Sequence, residues 1–234
     1  MAYSFTSKVR YSELDAQGRL SLHSVLNYFQ DCCTFHSHSI GQGMHILEKR
    51  KRVWVLSGWQ VVVDRYPVLA ENLVITTWPY DFRGFLGSRN FTLFTEQGER
   101  LAYANTLWSY ISSETGLPTK LSDEDIRGYE CEPRLDMEYA PRRITIPKDG
   151  EKMESIPIIA EYLDTNQHVN NAQYVSLAQR FLPEEFTVHQ MRAEYKSQVR
   201  LGDVLVPVAS RDEDRLVVSL NAEGGKLCAV IEFR

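Results

Sequence analysis

The chain contains one short pattern twice, as LDAQGRL at Leu14–Leu20 and as LDTNQHV at Leu163–Val169. The two stretches align without a gap, and an apolar run with roughly helical spacing follows each of them. The same register pairs Gln30 with Gln179, late in each run. The pattern predicts two copies of one structural unit within the 234 residues.

The first half has the pattern of a strand, a long helix and then a series of antiparallel strands. Apolar residues at every second position predict a strand at Tyr3–Tyr11, and helical spacing predicts an enclosed helix from Ser21 to about Gly41. The cluster Ser122–Asp125 predicts the cap of a short helix. Strand-like segments lie at Val53–Asp64, Asn72–Phe82, Ser88–Thr95 and Arg100–Ile111.

The second half repeats this order. A helix is predicted from about Asn170 to Phe181. The strand-like segments that follow are Thr187–Gln198, Val204–Ser210, Leu216–Leu220 and Leu227–Phe233. Between the halves lies a stretch that is rich in proline and charge and has no sustained period. We therefore expect a first unit at 1–129, a linker at 130–155 and a second unit at 156–234.

The two copies differ in their chemistry. Both keep the aspartate, as Asp15 and Asp164, but only the second copy adds Asn166 and His168. A carboxylate, a carboxamide and an imidazole at the amino end of a helix suit an active site, because free backbone N–H groups there can stabilise an oxyanion. The alternative is that these are ordinary turn and cap residues. The asymmetry predicts one active site per chain and leaves the first half free to hold substrate.

Composition and charge exclude several classes of protein. Charged residues make up 24% and hydrophobic residues 43%, an ordinary globular balance, and the net charge of −5 argues against general nucleic-acid binding. The cysteines and histidines have neither zinc-like nor disulfide-framework spacing, which fits a reducing cytosol. No apolar stretch is long enough to span a membrane or to form a signal peptide. We expect a soluble cytoplasmic protein.

The segment DTNQHVNN at Asp164–Asn171, followed by Tyr174, closely resembles the signature of the acyl-(acyl carrier protein) thioesterases of plant plastids and bacteria. Weaker matches, which extend the similarity over nearly the whole chain, lie at Thr77–Pro79, Gly84–Asn90, Thr106–Trp108 and Thr115–Pro118. The resemblance implies an α+β tandem (double) hotdog fold, in which each half is a long central helix wrapped by an antiparallel sheet. It implies hydrolysis of a fatty acyl thioester on the carrier's 4′-phosphopantetheine arm, with release of a free fatty acid and no cofactor or metal.

The resemblance also implies a set of catalytic residues. The family's aspartate, asparagine and histidine map to Asp164, Asn166 and His168, and its next catalytic position, a glutamate, maps to Gln198. Plant members have a cysteine directly after that glutamate, where this chain has Val199. A glutamine cannot be a general base and a valine cannot be a nucleophile, but Gln198 can hold a water or orient a neighbour.

These residues leave the mechanism open between two routes. Either Asp164 or His168 activates a water, or Asp164 attacks directly to give a transient anhydride. Backbone N–H groups at the start of the Asn170 helix would stabilise the oxyanion. Strand parity places Glu194 on the same face as Gln198, but at about 13 Å along the strand, so Glu194 is a less favoured substitute for the missing glutamate.

Carrier proteins of fatty-acid synthesis are acidic, so a thioesterase with a net negative charge needs a local cationic docking face. The first candidate is the run Lys49, Arg50, Lys51 and Arg52, with Arg83, Arg89, Arg142 and Arg143 as further candidates. The alternative is that such a run is only a solvated surface. Other functions that the sequence leaves open are an acyl-coenzyme A thioesterase, a hotdog hydratase or dehydratase, and a non-catalytic acyl-binding protein. A monomer and a homodimer are both compatible with the repeat.

Overall fold

The computed structural model describes residues 1–212 and 214–234, and it divides the chain into two compact units. The first consists of Met1–Ser57 and Val61–Tyr139, and the second of Gly58–Gln60 and Ala140–Arg234. Residues 130–139 of the expected linker thus belong to the first unit, and residues 140–155 to the second. Within the described ranges, every helix is too short or too polar to cross a bilayer.

The first unit packs one long helix on an antiparallel sheet with the strand order β1-β3-β4-β5-β2. The helix α1 contacts β1 and β3. The elements are β1 (Tyr3–Lys8), α1 (Leu22–Ser39), α2 (Met44–Lys49), β2 (Arg52–Val63), β3 (Asn72–Arg83), β4 (Leu86–Thr95) and β5 (Arg100–Ser112). The predicted strands of this half are confirmed, apart from small differences at their ends and the strand β1, which ends at Lys8.

The helix α1 forms as its sequence predicts. The Ser21 hydroxyl accepts a hydrogen bond from the Ser24 N–H and caps the first turn, and Gly41 with a φ of 75° follows the last one. Apolar side chains at helical spacing, including Val25, Leu26 and Phe29, are buried and fix the face that packs on the sheet.

Two local features of the first unit differ from the sequence prediction. Residues 123–125 form a single turn and not a helix: the Asp125 N–H donates to the Ser122 carbonyl at 3.1 Å, and the Ser122 N–H and hydroxyl both donate to Asp125 Oδ2, at 2.9 and 2.7 Å. The helix α2 was not predicted, since its six residues are too few to show a period.

The second unit repeats the arrangement on a smaller scale. Its helix packs on β10 and β11, and its strand order is β8-β11-β10-β9-β6, with β7 paired to β9. The elements are β6 (Glu151–Lys152), β7 (Ile156–Pro157), α3 (Asn171–Gln179), β8 (Gln190–Tyr195), β9 (Val204–Arg211), β10 (Leu216–Ala222) and β11 (Leu227–Phe233). Two units of helix on antiparallel sheet confirm the predicted α+β class.

The strand β8 ends earlier than predicted. The N–H groups of Lys196 and Ser197 both donate to the carbonyl of Cys228, at 2.8 and 3.1 Å, and this doubled contact ends the regular ladder after Tyr195. The strand parity that placed Glu194 on the same face as Gln198 therefore does not hold.

A buried ionic network holds the start of the second unit against its sheet. Glu232, with 1% of its side chain exposed, accepts hydrogen bonds from Arg192 Nη1 at 3.0 Å and Arg215 Nε at 2.5 Å. The other terminal nitrogen of Arg192 donates to the carbonyls of Pro141 and Arg143. The segment that leads into the second unit is thus tied to β8 through one buried arginine.

Candidate active site

The candidate residues form a closed turn ahead of α3. Asp164 Oδ1 accepts hydrogen bonds from the N–H groups of Asn166, at 2.7 Å, and His168, at 3.4 Å. The Asp164 N–H donates to the His168 carbonyl at 2.8 Å, and Gln167 takes a φ of 61°. An aspartate that satisfies its own turn in this way fixes the backbone on which Asn166 and His168 are carried.

The same turn occurs in the first unit. Asp15 Oδ1 accepts from the N–H groups of Gln17 at 3.0 Å and Arg19 at 2.9 Å, and Gly18 takes a φ of 75°. The Asp15 N–H donates to the Arg19 carbonyl at 2.7 Å. The repeat in the sequence is therefore a repeat of hydrogen bonds, and the turn accounts for the aspartate in both copies. In the second copy Asp164 still has a second oxygen, Oδ2.

The helix α3 begins with a capped turn. Asn170 Oδ1 accepts from the Ala172 N–H at 2.8 Å, and the Asn170 carbonyl accepts from the Gln173 N–H at 2.9 Å. Among the first three helical amides, only that of Asn171 has no protein acceptor in the described parts of the chain. The oxyanion site that we expected at this helix start is thus reduced to one backbone donor.

His168 stands on the turn with its two ring nitrogens in different surroundings. Nε2 lies 3.2 Å from Arg200 Nε, while Nδ1 is buried and has no hydrogen-bond partner among residues 1–212 and 214–234. Burial lowers the pKa of the His168 imidazole, Arg200 lowers that pKa further, and Asp164 opposes these effects. A lowered pKa favours the neutral ring at pH 7, and the protein leaves its buried nitrogen without a partner among the described residues.

Gln198 comes to the turn through the backbone. The Val199 carbonyl accepts a hydrogen bond from the Val169 N–H at 2.9 Å, so residues 198–200 run beside the residue that follows His168. The side chains of Gln198 and Asn166 are exposed, and Val199 is buried. Sequence reasoning missed Arg200, because its contact with His168 joins residues 32 apart in the chain.

Glu194, the less favoured substitute for the missing glutamate, does not fill that role. Its carboxylate is buried and paired with Lys196 Nζ, and it also accepts from the Ile144 N–H at 3.3 Å. The carboxylate is committed to structural partners and cannot serve as a base at Gln198.

The predicted docking residues Lys49–Arg52 connect α2 to β2. Two of the four are already paired, Arg50 with Glu124 at 2.7 Å and Lys51 with Glu114 at 2.5 Å. The remaining two line a groove of about 660 Å³. The groove is bordered by four cations, Lys49, Arg50, Arg52 and Lys120, and by two carboxylates, Glu124 and Asp125, so it carries an excess of positive charge.

One of the further docking candidates is not at the surface. Arg89 is buried, and its Nη1 lies 2.9 Å from His36 Nδ1 and 3.3 Å from Thr77 Oγ1, so it cannot meet a protein partner. The sequence could not separate it from its exposed counterparts Arg83, Arg142 and Arg143.

Comparison with known proteins shows that both parts of the chain match domains of one enzyme family. The N-terminal domain of acyl-ACP thioesterases matches residues 1–129, and the C-terminal domain of the same enzymes matches residues 147–226. The palmitoyl-acyl carrier protein thioesterase of Gossypium hirsutum, a chloroplastic protein, is 28% identical over 229 residues, or 88% of this chain and 54% of that protein. The chain thus spans about half the length of the curated relatives that it matches.

Solved structures show the same fold. An acyl-ACP thioesterase from Bacteroides thetaiotaomicron has a TM-score of 0.91 at 22% identity, covering 99% of this chain and 96% of that one. The 12:0-ACP thioesterase from Umbellularia californica has a TM-score of 0.85 at 19% identity, covering 100% of this chain and 96% of that one. The tandem hotdog fold is confirmed, and with both family domains matched along its length the chain belongs to the acyl-ACP thioesterase family.

Proposed function

We propose that the protein hydrolyses the thioester of fatty acyl-(acyl carrier protein), releasing a free fatty acid and ending chain elongation. Family membership supports the reaction class. The observation that carries the assignment to this site is the contrast between two turns with the same hydrogen bonds. Each turn carries a buried side-chain nitrogen without a hydrogen-bond partner among the described residues, Arg19 Nε in the first and His168 Nδ1 in the second. Only the imidazole can be neutral and exchange a proton, because a guanidinium stays protonated.

The side chains of the second turn divide the chemistry between them. Asp164 Oδ2, the oxygen that the turn leaves over, accepts a proton from a water that attacks the thioester carbon. The C–S bond then breaks and the proton passes to the departing thiolate. Direct attack by the same oxygen, which would give an anhydride that water then cleaves, uses the same geometry. Asn166 and Gln198, both exposed beside the turn, orient the water.

The developing oxyanion needs donors, and this site offers two. One is the Asn171 N–H at the start of α3, and the other is the buried Nδ1 of His168. Donors held in place before the reaction stabilise charge without reorganisation. His168 therefore acts as an electrophilic partner of the thioester oxygen, while Asp164 handles the proton.

The first unit provides a matched control for the role of Asp164. Asparagine at either Asp15 or Asp164 keeps the Oδ1 acceptor of the turn and removes only the carboxylate charge. We expect Asp164→Asn to lower kcat by about 10²–10⁴-fold and Asp15→Asn to leave kcat within a few-fold. The two variants should have similar melting temperatures. Equal losses of activity in both, or none in Asp164→Asn, would show that this aspartate serves only the turn.

The partner in this proposal is an acyl carrier protein with its 4′-phosphopantetheine arm. The cationic groove supports this choice, because Lys49, Arg52 and Lys120 border it and form no ion pair in the described ranges. An acyl-coenzyme A thioesterase would use the same chemistry. Rates on one acyl chain carried by each thiol decide between the two, and faster turnover of the coenzyme A ester would reject the carrier.

The first unit, residues 1–129, would hold the acyl chain. Its copy of the turn carries the Arg19 guanidinium, whose Nε lies 3.5 Å from Asp15 Oδ2, so this copy offers no catalytic imidazole. A mixed pool of acyl carrier proteins, with the released acids identified by mass spectrometry, would give the chain length. We place the enzyme in the cytoplasm, consistent with four free cysteines of which three are buried. It would act as a monomer or a homodimer, which sedimentation velocity separates.

A further inference from the structure

Arg200 lies outside the set of residues that the sequence assigned to the reaction. Its Nε is 3.2 Å from His168 Nε2. A guanidinium has N–H donors only and stays protonated in proteins, so the nitrogen facing it must supply the lone pair. The contact therefore assigns Nε2 as an acceptor and leaves the proton of the neutral ring on Nδ1. Nδ1 is the nitrogen that is buried without a partner.

The backbone holds Arg200 in this position. Its N–H donates to Asp203 Oδ2 at 2.8 Å, and the Asp203 N–H donates back to the Arg200 carbonyl at 3.1 Å. Gly202, with a φ of 85°, closes the turn. This tight turn follows directly on Val199, whose carbonyl receives the Val169 N–H, so two backbone anchors fix the distance between Arg200 and the imidazole.

The first unit contains the same tight turn without the arginine. The Val68 N–H donates to Glu71 Oε2 at 2.9 Å, and the Glu71 N–H donates to the Val68 carbonyl at 3.2 Å. Ala70, with a φ of 66°, closes it. In the first unit Arg19 stands where the second has His168, and Val68 stands where the second has Arg200. Backbone support does not explain the arginine, because the valine turn forms without it.

We propose that Arg200 is a positioning residue that holds His168 as a neutral imidazole with its proton on Nδ1, so that the ring serves the reaction as a hydrogen-bond donor. This rests on the proposed function of the site. The charged and titratable groups around the ring are Asp164 on the same turn, Arg200, and Asp203 behind it, with Tyr174 of α3 near both carboxylates. Asp164 favours an imidazolium, and Arg200 opposes it.

Nuclear magnetic resonance of ¹⁵N-histidine-labelled protein reads the tautomer directly. We expect the His168 signals, assigned with a His168→Asn variant, to show the proton on Nδ1 and a pKa below the ordinary value of about 6.5. Arg200→Met should raise that pKa and allow the tautomer with the proton on Nε2 to become populated. Arg200→Lys keeps the charge and should restore the low pKa only in part. Arg180→Met is the control, because Arg180 is an exposed arginine of the same unit that donates to Tyr162. It should change neither quantity.

Kinetics supply a readout that loss of structure would not give. At neutral pH, Arg200→Met should lower kcat by roughly tenfold, less than the ~10²–10⁴-fold of a lost acid–base group, with KM unchanged. As the pH falls below about 6.5, both ring nitrogens become protonated and the ratio of wild-type to variant kcat should shrink.

A proton on Nε2 in the wild type, or an unchanged tautomer and pKa in Arg200→Met, would overturn the inference. The resonance measurement needs no turnover, so this failure is distinct from failure of the proposed thioesterase activity, which the Asp164→Asn and Asp15→Asn pair tests.

Discussion

The buried carboxylate of Glu232 should control the stability of the second unit. Glu232→Gln keeps the shape of the side chain and removes the charge that Arg192, Arg215 and Arg234 share. The Arg192 side chain is only 9% exposed, so it would be left as a buried cation without a counter-charge. Breaking a buried pair in this way costs about 3–5 kcal/mol. Arg215 is 20% exposed and can turn toward water, which keeps the cost within that range.

Thermal and urea unfolding of the purified variants would measure this cost. At about 2–4 °C per kcal/mol for a chain of this size, the melting temperature should fall by about 6–20 °C. Glu114→Gln removes the exposed partner of Lys51 and should cost about 0–1 kcal/mol. Replacing Arg192, Arg215 and Glu232 together by methionine and leucine should recover only part of the loss, because no charge is then stranded but the carbonyls of Pro141, Arg143 and Thr145 lose their donors. A cost for Glu232→Gln no larger than that of Glu114→Gln would refute the reasoning.

Three further outcomes follow from the geometry. His168→Ala should lower kcat by about 10²–10³-fold, the effect of one lost oxyanion donor, whereas Ala at Arg19, its counterpart in the first unit, should not; equal kcat for both would remove the imidazole from the mechanism. Reversing the charges of Lys49 and Arg52 should raise KM for the acyl carrier protein and flatten its salt dependence with little change in kcat, and no change in either would place docking elsewhere. His36 is buried against Arg89 and its pKa is lowered to about 4, mainly by burial, so its folded pKa is below its unfolded value. The melting temperature should therefore fall as the pH drops from about 6.5 toward 4, less steeply in His36→Gln, and parallel profiles would contradict this.

The repeat was predictable because it depends only on residues that are close together in the sequence. A gapless register and helical spacing after each copy are properties of the chain alone, and they placed α1, α3 and the strands of the first unit close to their actual bounds. The end of β8 was not predictable in this way. It depends on the Cys228 carbonyl, a distant acceptor that takes two amides at once.

The candidate site was predicted in part. The sequence placed Asp164 and His168 on one turn, and the structure adds that the turn itself uses one carboxylate oxygen of Asp164. This structural use explains why the other copy also keeps its aspartate, Asp15. Arg200 was missed because its significance lies in a distance to His168 across the fold, which no local pattern encodes.

The matching turns also allow the side chains of the second unit's site to be introduced into the first unit. Because both loops share one hydrogen-bonding frame, Gln17→Asn, Arg19→His and Val68→Arg would rebuild the later copy's equipment on the earlier one without moving the main chain. Any thioester hydrolysis by this variant in an Asp164→Asn background would measure the activity that these side chains supply when they are placed in the first unit.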